Sequence, residues 1–301
     1  MKISEWWIIY GMMGYGMLFI LSVFGFAIWW ARRRNERPPL KFKLLRGPGE
    51  TLRRKVAKMD EDLLTTLIGA ALVPVIALGF PMLILKMFTP TTWPQMYVWF
   101  GFAAVVLLVS LFFSWRWAVR HMLRWRDYNL GYLGEREVGE HLVPLLQRGY
   151  RVFHDIPAEG AKKPFNLDHV TVGPSGVTVI ETKTRRKGRA RPGMKDHVVT
   201  YDGRHLIWPW GQDSWGLQQA IAEADWLRTF INQRTGIDTP VKAILALPGW
   251  WVEARANKPV AVVNSKSVAT AVHGTGARLL TDGQVDLIAR QLDQLCRDVE
   301  D

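Results

Sequence analysis

Three uncharged apolar runs near the start of the chain limit most strongly how it can fold. They cover residues 6–30, 63–85 and 96–115, and each is long enough to cross a bilayer at roughly 20 residues per span. A signal peptide is a poor alternative for the first run, because the run is too long and most of the positive charge follows it. The sequence therefore predicts a membrane module over residues 1–126, with three transmembrane helices, followed by one domain over residues 127–301.

Positive charge is distributed unevenly around these runs. The loop of residues 31–62 carries eleven Lys and Arg side chains, whereas the connection between the second and third runs carries only Lys86. Loops rich in Lys and Arg stay in the cytoplasm. We therefore expect a multi-pass protein of the inner (cytoplasmic) membrane, with its N-terminus outside and its C-terminal domain cytoplasmic. The 31–62 loop is expected to contact anionic lipid, and nucleic acid is the alternative partner for so basic a chain, whose net charge is +12.

A predicted β-hairpin in the second half of the chain carries the clearest chemical signal. Two strands rich in Val, Ile and Thr flank a Gly-Pro-Ser-Gly turn at residues 173–176. A regular hairpin with this turn places Asp168 opposite Glu181 and Asn166 opposite Lys183, with Cβ atoms roughly 4.5–5.5 Å apart. Two carboxylates so placed repel each other unless a shared divalent cation, or neighbouring Lys and Arg side chains, offset their charge.

The hairpin resembles the nuclease-related domain (NERD) family. The matching pattern is Asn-x-Asp-His-Val, then Gly-Pro-x-Gly-Val, then Val-Ile-Glu-Thr-Lys, within a resemblance that covers about residues 134–233. It implies the fold of the PD-(D/E)XK nuclease superfamily, an α/β restriction-endonuclease-like domain with a mixed sheet flanked by helices. It also implies hydrolysis of nucleic acid phosphodiesters, with Mg²⁺ or Mn²⁺ as the cofactor and DNA as the favoured substrate.

The resemblance assigns roles to individual residues of the hairpin. Asp168 and Glu181 would bind the metal, and the carbonyl group of Thr182 could add a ligand. Lys183 would orient the attacking water or help to deprotonate it, and would offset the charge of the phosphate.

Two further candidates lie on predicted helices. A helix over Gly134–Gln147 places Glu135 in line with its apolar, core-facing residues. On the residues alone Glu135 could simply complement the helix dipole, whereas the resemblance assigns it to the metal site. A second helix, about Ser214–Gln233, carries Gln219, which matches a Gln-Ala pair of the family. The family's Asn-Pro upstream is absent, and an ordinary exposed glutamine is the alternative.

A basic segment follows the hairpin directly. Its six cations are interspersed with Gly and Pro, and they are Arg185, Arg186, Lys187, Arg189, Arg191 and Lys195. Such a charge run is usually a solvated face, and this composition predicts a mobile loop. Because the segment leaves the candidate catalytic strand, we interpret it as a nucleic-acid-binding loop that contacts phosphates.

Weaker patterns complete the predicted domain. Further strands are expected at residues 151–156, 197–200, 205–208, 241–247 and 260–263, and a capping box at Thr281 and Gln284 predicts the start of a last helix. The boundary with the membrane module is expected at residues 126–133, where polar residues and a glycine interrupt the helical pattern. Two other functions fit the sequence: a non-catalytic module that docks nucleic acid or a partner to the membrane, and a structural component of a conjugation, secretion or defence assembly.

Overall fold

The computed structural model describes residues 43–63, 93–159 and 164–299, together with the single positions Gly25 and Ile68. The predicted spans over residues 6–30 and 63–85 lie almost wholly outside the described residues, and so does the beginning of the 31–62 loop. Residues 50–63 are helical. Residues 45–297 form one compact unit.

A single helix of 50 residues, Trp93–Leu142, contains the third predicted span, and it is called the long helix below. Among the residues that the structure describes, the stretch Ala104–Arg148 is the one helical stretch long and apolar enough to cross a membrane, judged by length and composition. Large apolar side chains along it, such as Phe112 and Trp115, are exposed. The long helix is therefore one candidate span, and the other two spans stay predictions.

The long helix runs without a break through residues 126–133, so the interruption predicted there is wrong. One glycine costs a helix interior only about 1 kcal/mol. Gly131 also permits a close contact, since a Cβ at this position would lie 2.8 Å from Cδ1 of Leu52 in the 50–63 helix. The close approach of the two helices offsets the cost of the glycine, and α-helix continues to Leu142, where a 3₁₀ turn begins.

Eleven strands are described. In chain order they are β1 (Lys43–Leu45), β2 (Arg151–Ala158), β3 (Phe165–Gly173), β4 (Gly176–Thr182), β5 (Val198–Tyr201), β6 (Leu206–Trp208), β7 (Gly211–Asp213), β8 (Val241–Ala246), β9 (Trp251–Ala254), β10 (Val260–Val263) and β11 (Arg297–Val299). The main sheet has five strands in the order β10-β8-β4-β3-β2, and β1 pairs with β11 in a separate two-stranded sheet. Within the main sheet β2, β3 and β4 are antiparallel neighbours, while β4, β8 and β10 run parallel. The predicted mixed sheet is therefore present.

Strand β2 extends two residues beyond the sequence prediction, which ended it at residue 156. Pro157 lies within this strand, although proline cannot donate a ladder hydrogen bond. Since β2 is the edge strand of the main sheet, a residue without an N–H group is tolerated there.

Helices cover both faces of the main sheet, as predicted. The middle helix (Trp215–Thr235) and the C-terminal helix (Asp282–Leu295) pack on the face that includes Val179. The end of the long helix packs on the opposite face, which includes Ile180. Because successive side chains of a strand alternate between faces, Glu181 belongs to the face of the middle helix. The C-terminal helix starts at the predicted capping box, where the Thr281 hydroxyl accepts a hydrogen bond from the N–H of Gln284.

A second sheet, with the strand order β7-β6-β5-β9, is not predicted by the sequence. Two of its strands match predicted ones, whereas β7 and β9 have no counterpart among the predictions. These strands have three and four residues, which is too few to establish an alternating pattern. Their place in the sheet is set by pairing with distant segments, such as the parallel pairing of β9 with β5.

Candidate active site

The hairpin of β3 and β4 has the predicted register. His169 pairs with Ile180, Val170 with Val179, and the ladder continues to the pair of Gly173 and Gly176 at the turn. The arrangement follows from the turn chemistry, because Gly176 adopts a φ of +106° that favours glycine. Asp168 and Glu181 therefore lie next to each other just beyond the last pair of the ladder, His169 and Ile180.

The ladder ends at this point because the side chain of Asp168 replaces a backbone partner. Its Oδ2 atom accepts a hydrogen bond of 2.8 Å from the N–H of Thr182. The next N–H, that of Lys183, donates to the carbonyl of Ala246 in β8. The ladder between β3 and β4 ends at the pair of His169 and Ile180, so the predicted pairs of Asp168 with Glu181 and of Asn166 with Lys183 are not part of it. The two strands diverge and open a space around Asp168.

Glu181 and Lys183 form an ion pair on the middle-helix face of the sheet. The Glu181 carboxylate is only 1% exposed, whereas the Lys183 side chain is 24% exposed. Burial by itself lowers the pKa of Lys183, but the Glu181 carboxylate outweighs burial and leaves that pKa above its ordinary value. Lys183 is therefore a protonated donor, which suits it to hold a phosphate or a water molecule but not to accept a proton.

The middle helix contributes two polar residues to this face. Gln219 donates a hydrogen bond of 2.8 Å from Nε2 to Oε1 of Glu223. Glu223 is only 2% exposed, and it was missed by the sequence analysis. The signal was available, since Glu223 lies three residues after Ala220 and four before Leu227 in the buried stripe of the helix. An acid in such a stripe is the pattern that identified Glu135.

Glu181 and Glu223 are close enough for their carboxyl groups to share a hydrogen bond when one is protonated. Burial, together with the charge of Asp168, raises the pKa of Glu223 to about 7. Burial and the neighbouring Glu223 also raise the pKa of Glu181. A proton or a cation that offsets one of the two charges would therefore stabilise this pair of carboxyl groups further, beyond the contribution of Lys183.

Glu135 approaches from the opposite face, because it lies on the long helix. The preceding Gly134 permits this approach, since a Cβ there would lie 2.0 Å from Cγ2 of Thr184. Burial raises the pKa of Glu135 to about 9, and the charges of Asp168 and Asp155 add to the effect. Glu135 is thus a protonated acid at neutral pH in the absence of a cation.

Asp155, a second residue that the sequence analysis missed, ties the 50–63 helix to the sheet. Its carboxylate accepts hydrogen bonds from the N–H and the hydroxyl of Thr51, at 2.7 and 2.8 Å, and from the amide of Asn166 at 2.7 Å. Arg46 forms an ion pair of 2.8 Å with the same group. Asp155 has a φ of +48°, a left-handed conformation that is rare for a residue other than glycine. These contacts compensate for the backbone strain.

Asp168 is the residue that both sets of acids share. It interacts electrostatically with Glu181 and Glu223 on one side and with Glu135 and Asp155 on the other. Burial is the main cause that raises the pKa of Asp168, and the Glu181 charge adds to it. A cavity of about 320 Å³ adjoins Asp168, Glu135 and Asp155 on the side of the 50–63 helix.

The donor set can be tested for its fit to a divalent cation. Within the described ranges, no group of three or more His, Cys, Asp or Glu side chains converges in the geometry of a metal site. However, oxygens that a hard cation prefers are buried without a partner in the same part of the chain: Oε2 of Glu181, Oε2 of Glu223, Oε1 of Gln219 and the hydroxyl of Thr182. Unpartnered buried acceptors carry a free-energy cost that a bound cation would remove. The residues therefore fit a cation chemically, although the acids lie in two sets.

The six cations of residues 185–195 do not all have the same surroundings. Arg185 forms an ion pair of 2.8 Å with Asp213, and Arg186 donates to the carbonyl of Arg126 at 2.7 Å. Lys187, Arg189, Arg191 and Lys195 are exposed. The start of the segment is thus fixed to the rest of the domain, and the exposed cations of its later part are the ones that could bind phosphates.

The arrangement of acids and lysine at the end of a mixed sheet can be compared with known proteins. Residues 130–248 match the nuclease-related domain (NERD) family. The match begins within the long helix and ends just after β8, so it includes Glu135, Asp168, Glu181, Lys183 and Gln219. The mixed sheet with helices on both faces fits a restriction-endonuclease-like domain of this family. No curated protein and no solved structure gives a significant match to the chain.

Proposed function

We propose that this protein is a membrane-anchored nuclease whose nuclease-related domain hydrolyses nucleic acid phosphodiesters at the cytoplasmic face. DNA is the favoured substrate and Mg²⁺, or Mn²⁺, is the expected cofactor. One observation carries the proposal: Asp168, Glu181 and Lys183 lie together where β3 and β4 diverge, in the segment that matches the NERD family.

In this proposal the acids have the role of holding the cation. Asp168 and Glu181 are the central ligands, the Thr182 carbonyl adds a third oxygen, and Glu135 contributes from the long helix. When bound, the cation would supply Lewis-acid stabilisation of the phosphate and a more acidic water molecule. The raised pKa values of the acids support this role, because crowded buried carboxyl groups gain most from a nearby positive charge.

Lys183 has the role of a donor to the phosphate or to the attacking water. Its ammonium group is protonated and partly exposed, so it can offset the charge that develops on the phosphate oxygens. Removal of the proton from the water falls to another group, since a protonated lysine cannot accept it. Gln219 keeps Glu223 oriented by its hydrogen bond, which makes it a positioning residue in this scheme.

Nucleic acid binding is proposed for the basic segment, from Arg185 and Arg186 to Lys195. The segment begins two residues after Lys183, and its exposed cations supply the charge that the phosphate backbone attracts. Lipid binding is proposed for the 31–62 loop. On its described part, Arg53, Arg54 and Lys55 are exposed, and such side chains suit an anionic membrane surface. Anchoring through three spans, with the N-terminus outside, completes the proposal.

The proposal is tested by the activity of the purified full chain on labelled single- and double-stranded DNA and RNA, with Mg²⁺ and with EDTA. Cleavage that requires Mg²⁺ is expected, and Asp168→Asn should abolish it together with any Mg²⁺-dependent rise in melting temperature. Asp286→Asn, which changes an exposed acid on the C-terminal helix, is the matched control. If the wild-type chain cleaves no nucleic acid and is not stabilised by Mg²⁺, the proposal is wrong.

A non-catalytic docking module is the second candidate function. Two observations favour it: among the described residues no three metal-binding side chains converge, and Lys183 already offsets the charge of Glu181. Such a module would bind nucleic acid or a partner at the membrane, in a conjugation, secretion or defence assembly, without turnover. Nucleic acid binding without cleavage, unchanged by EDTA, is the result that would favour it.

A further inference from the structure

An exposed tryptophan lies beside Lys183 of the candidate active site. Trp215, the first residue of the middle helix, is 62% exposed. Its ring centroid is 4.5 Å from the ammonium group of Lys183. Lys183 in turn pairs with the buried Glu181, so the three residues form a line from solvent to the interior of the site.

The position of this indole is set by close packing. Gly216, the next residue of the helix, lies against Lys183, since a Cβ at Gly216 would be 3.3 Å from Cγ of the lysine. The absence of a side chain at Gly216 lets the lysine stem pass along the start of the helix. The ammonium group then meets Trp215, which is held close to the reactive end of Lys183 while most of its surface remains in solvent.

Other tryptophans of the domain differ in this respect. Trp208 and Trp250 are 2% and 1% exposed, and they pack against each other with ring centroids 5.0 Å apart. They belong to the core and cannot offer a ring face to a ligand. Trp251 is as exposed as Trp215, at 67%, but it lies on β9 in the second sheet.

We propose that Trp215 is a stacking platform for an unpaired base of the substrate strand, and that it gives the site a preference for single-stranded nucleic acid. The inference rests on the proposed function. A flat, exposed aromatic ring is the group on which nucleobases stack, and stacking accepts any base because each has a π-face. In a duplex these faces are covered by neighbouring base pairs. A base on Trp215 would bring the phosphate attached to its nucleoside towards Lys183 and the acids behind it.

The test is the affinity of the full chain in nanodiscs for a short single-stranded oligonucleotide, measured in EDTA so that no cleavage occurs. Trp215→Ala should weaken binding by about 5- to 150-fold, the range that base–aromatic stacking provides, and Trp215→Phe by less. Trp251→Ala is the matched control and should leave affinity unchanged. Duplex affinity should change little in any of these variants.

An oligonucleotide with abasic sites separates stacking from a structural effect. If Trp215 stacks on a base, its replacement should weaken binding of the intact strand but not of the abasic strand. An equal loss for both strands would overturn the inference, because it would assign Trp215 to the fold or to lipid contact. A wild-type chain that binds no nucleic acid overturns the proposed function itself, whereas intact wild-type binding with no effect of Trp215→Ala overturns only this inference.

Discussion

The ammonium group of Lys183, the first residue after β4, pairs with the carboxylate of Glu181 two residues earlier. Because Glu181 is buried, this pair offsets a charge that water cannot reach. The same contact occupies one carboxylate oxygen that a cation would use. Lys183 therefore stabilises the metal-free site and, in the proposed metal site, would compete with the cation for Glu181.

This competition predicts the behaviour of Lys183→Met. Without metal, the variant should lose ~1–3 kcal/mol of unfolding free energy, because a buried carboxylate is left unpaired while the lysine was only partly buried. Its melting temperature should rise more with Mg²⁺ than that of the wild type, since the cation then has no competitor, and cleavage should be lost. Thermal unfolding in EDTA and in a Mg²⁺ series measures this, with Lys266→Met as an exposed control. An unchanged response to Mg²⁺ together with retained cleavage would show that Lys183 is only structural.

Glu135 predicts a dependence of stability on pH. Its pKa is raised to about 9 in the folded chain, mainly by burial, from an unfolded value near 4.3. The folded state then binds more protons between these two values, so stability should fall as pH rises through this window. Glu135→Gln should remove that loss and be more stable than the metal-free wild type at pH 9 by up to ~6 kcal/mol, since each unit of pKa shift corresponds to about 1.4 kcal/mol, with little difference at pH 4. Denaturant unfolding in EDTA at several pH values is the measurement. Glu140→Gln, which changes an exposed acid on the same helix, is the control. If stability depends on pH in the same way in both variants and in the wild type, the prediction is wrong.

The exposed part of the basic segment predicts the salt dependence of nucleic acid binding. Replacing Arg189, Arg191 and Lys195 with Ala should reduce the log–log slope of affinity against salt by about 0.7–0.9 for each phosphate that the variant no longer binds. The same change at Arg185 and Arg186 should also disturb the domain, because these residues pair with Asp213 and Asp127. Arg290→Ala, an exposed cation on the C-terminal helix, should leave the slope unaltered. An unaltered slope in the triple variant would show that the segment is a solvated surface.

The charge distribution predicts the topology of the membrane module. A reporter fused after Gln95 should be active on the outer side of the membrane, whereas one fused after Asp301 should be active in the cytoplasm. Paired reporters, one active only inside and one only outside, measure both positions. A Gln95 fusion that is active only in the cytoplasm contradicts the three-span scheme.

The hairpin shows why local features of this fold were predictable. Turn residues and alternating apolar residues define the register of β3 and β4 within a short segment, and the observed pairs agree with the prediction. The register did not reveal that the Asp168 side chain accepts a hydrogen bond from the N–H of Thr182, where the ladder ends. Side-chain capping of this kind depends on geometry that a strand pattern does not contain.

Glu223 and Asp155 mark two different limits of sequence analysis. Glu223 was recognisable, because an acid within a buried helical stripe is unusual, yet its contact with Glu181 depends on how the middle helix crosses the sheet. Asp155 gave no such signal. Its partners Arg46 and Thr51 lie more than 100 residues earlier in the chain, and only the folded structure brings them together.

The unbroken long helix has a consequence for where the substrate can be. If residues 96–115 cross the bilayer, Trp115 marks the cytoplasmic edge, and Glu135 follows 20 residues later in the same helix. At 1.5 Å per residue, the helix places Glu135 about 30 Å from the membrane edge, measured along the helix axis. An α-helix neither stretches nor folds as a flexible linker does, so the proposed nuclease would have a short and constant reach from the membrane. In the proposed topology, only nucleic acid strands that pass close to the inner surface of the membrane would be within its range.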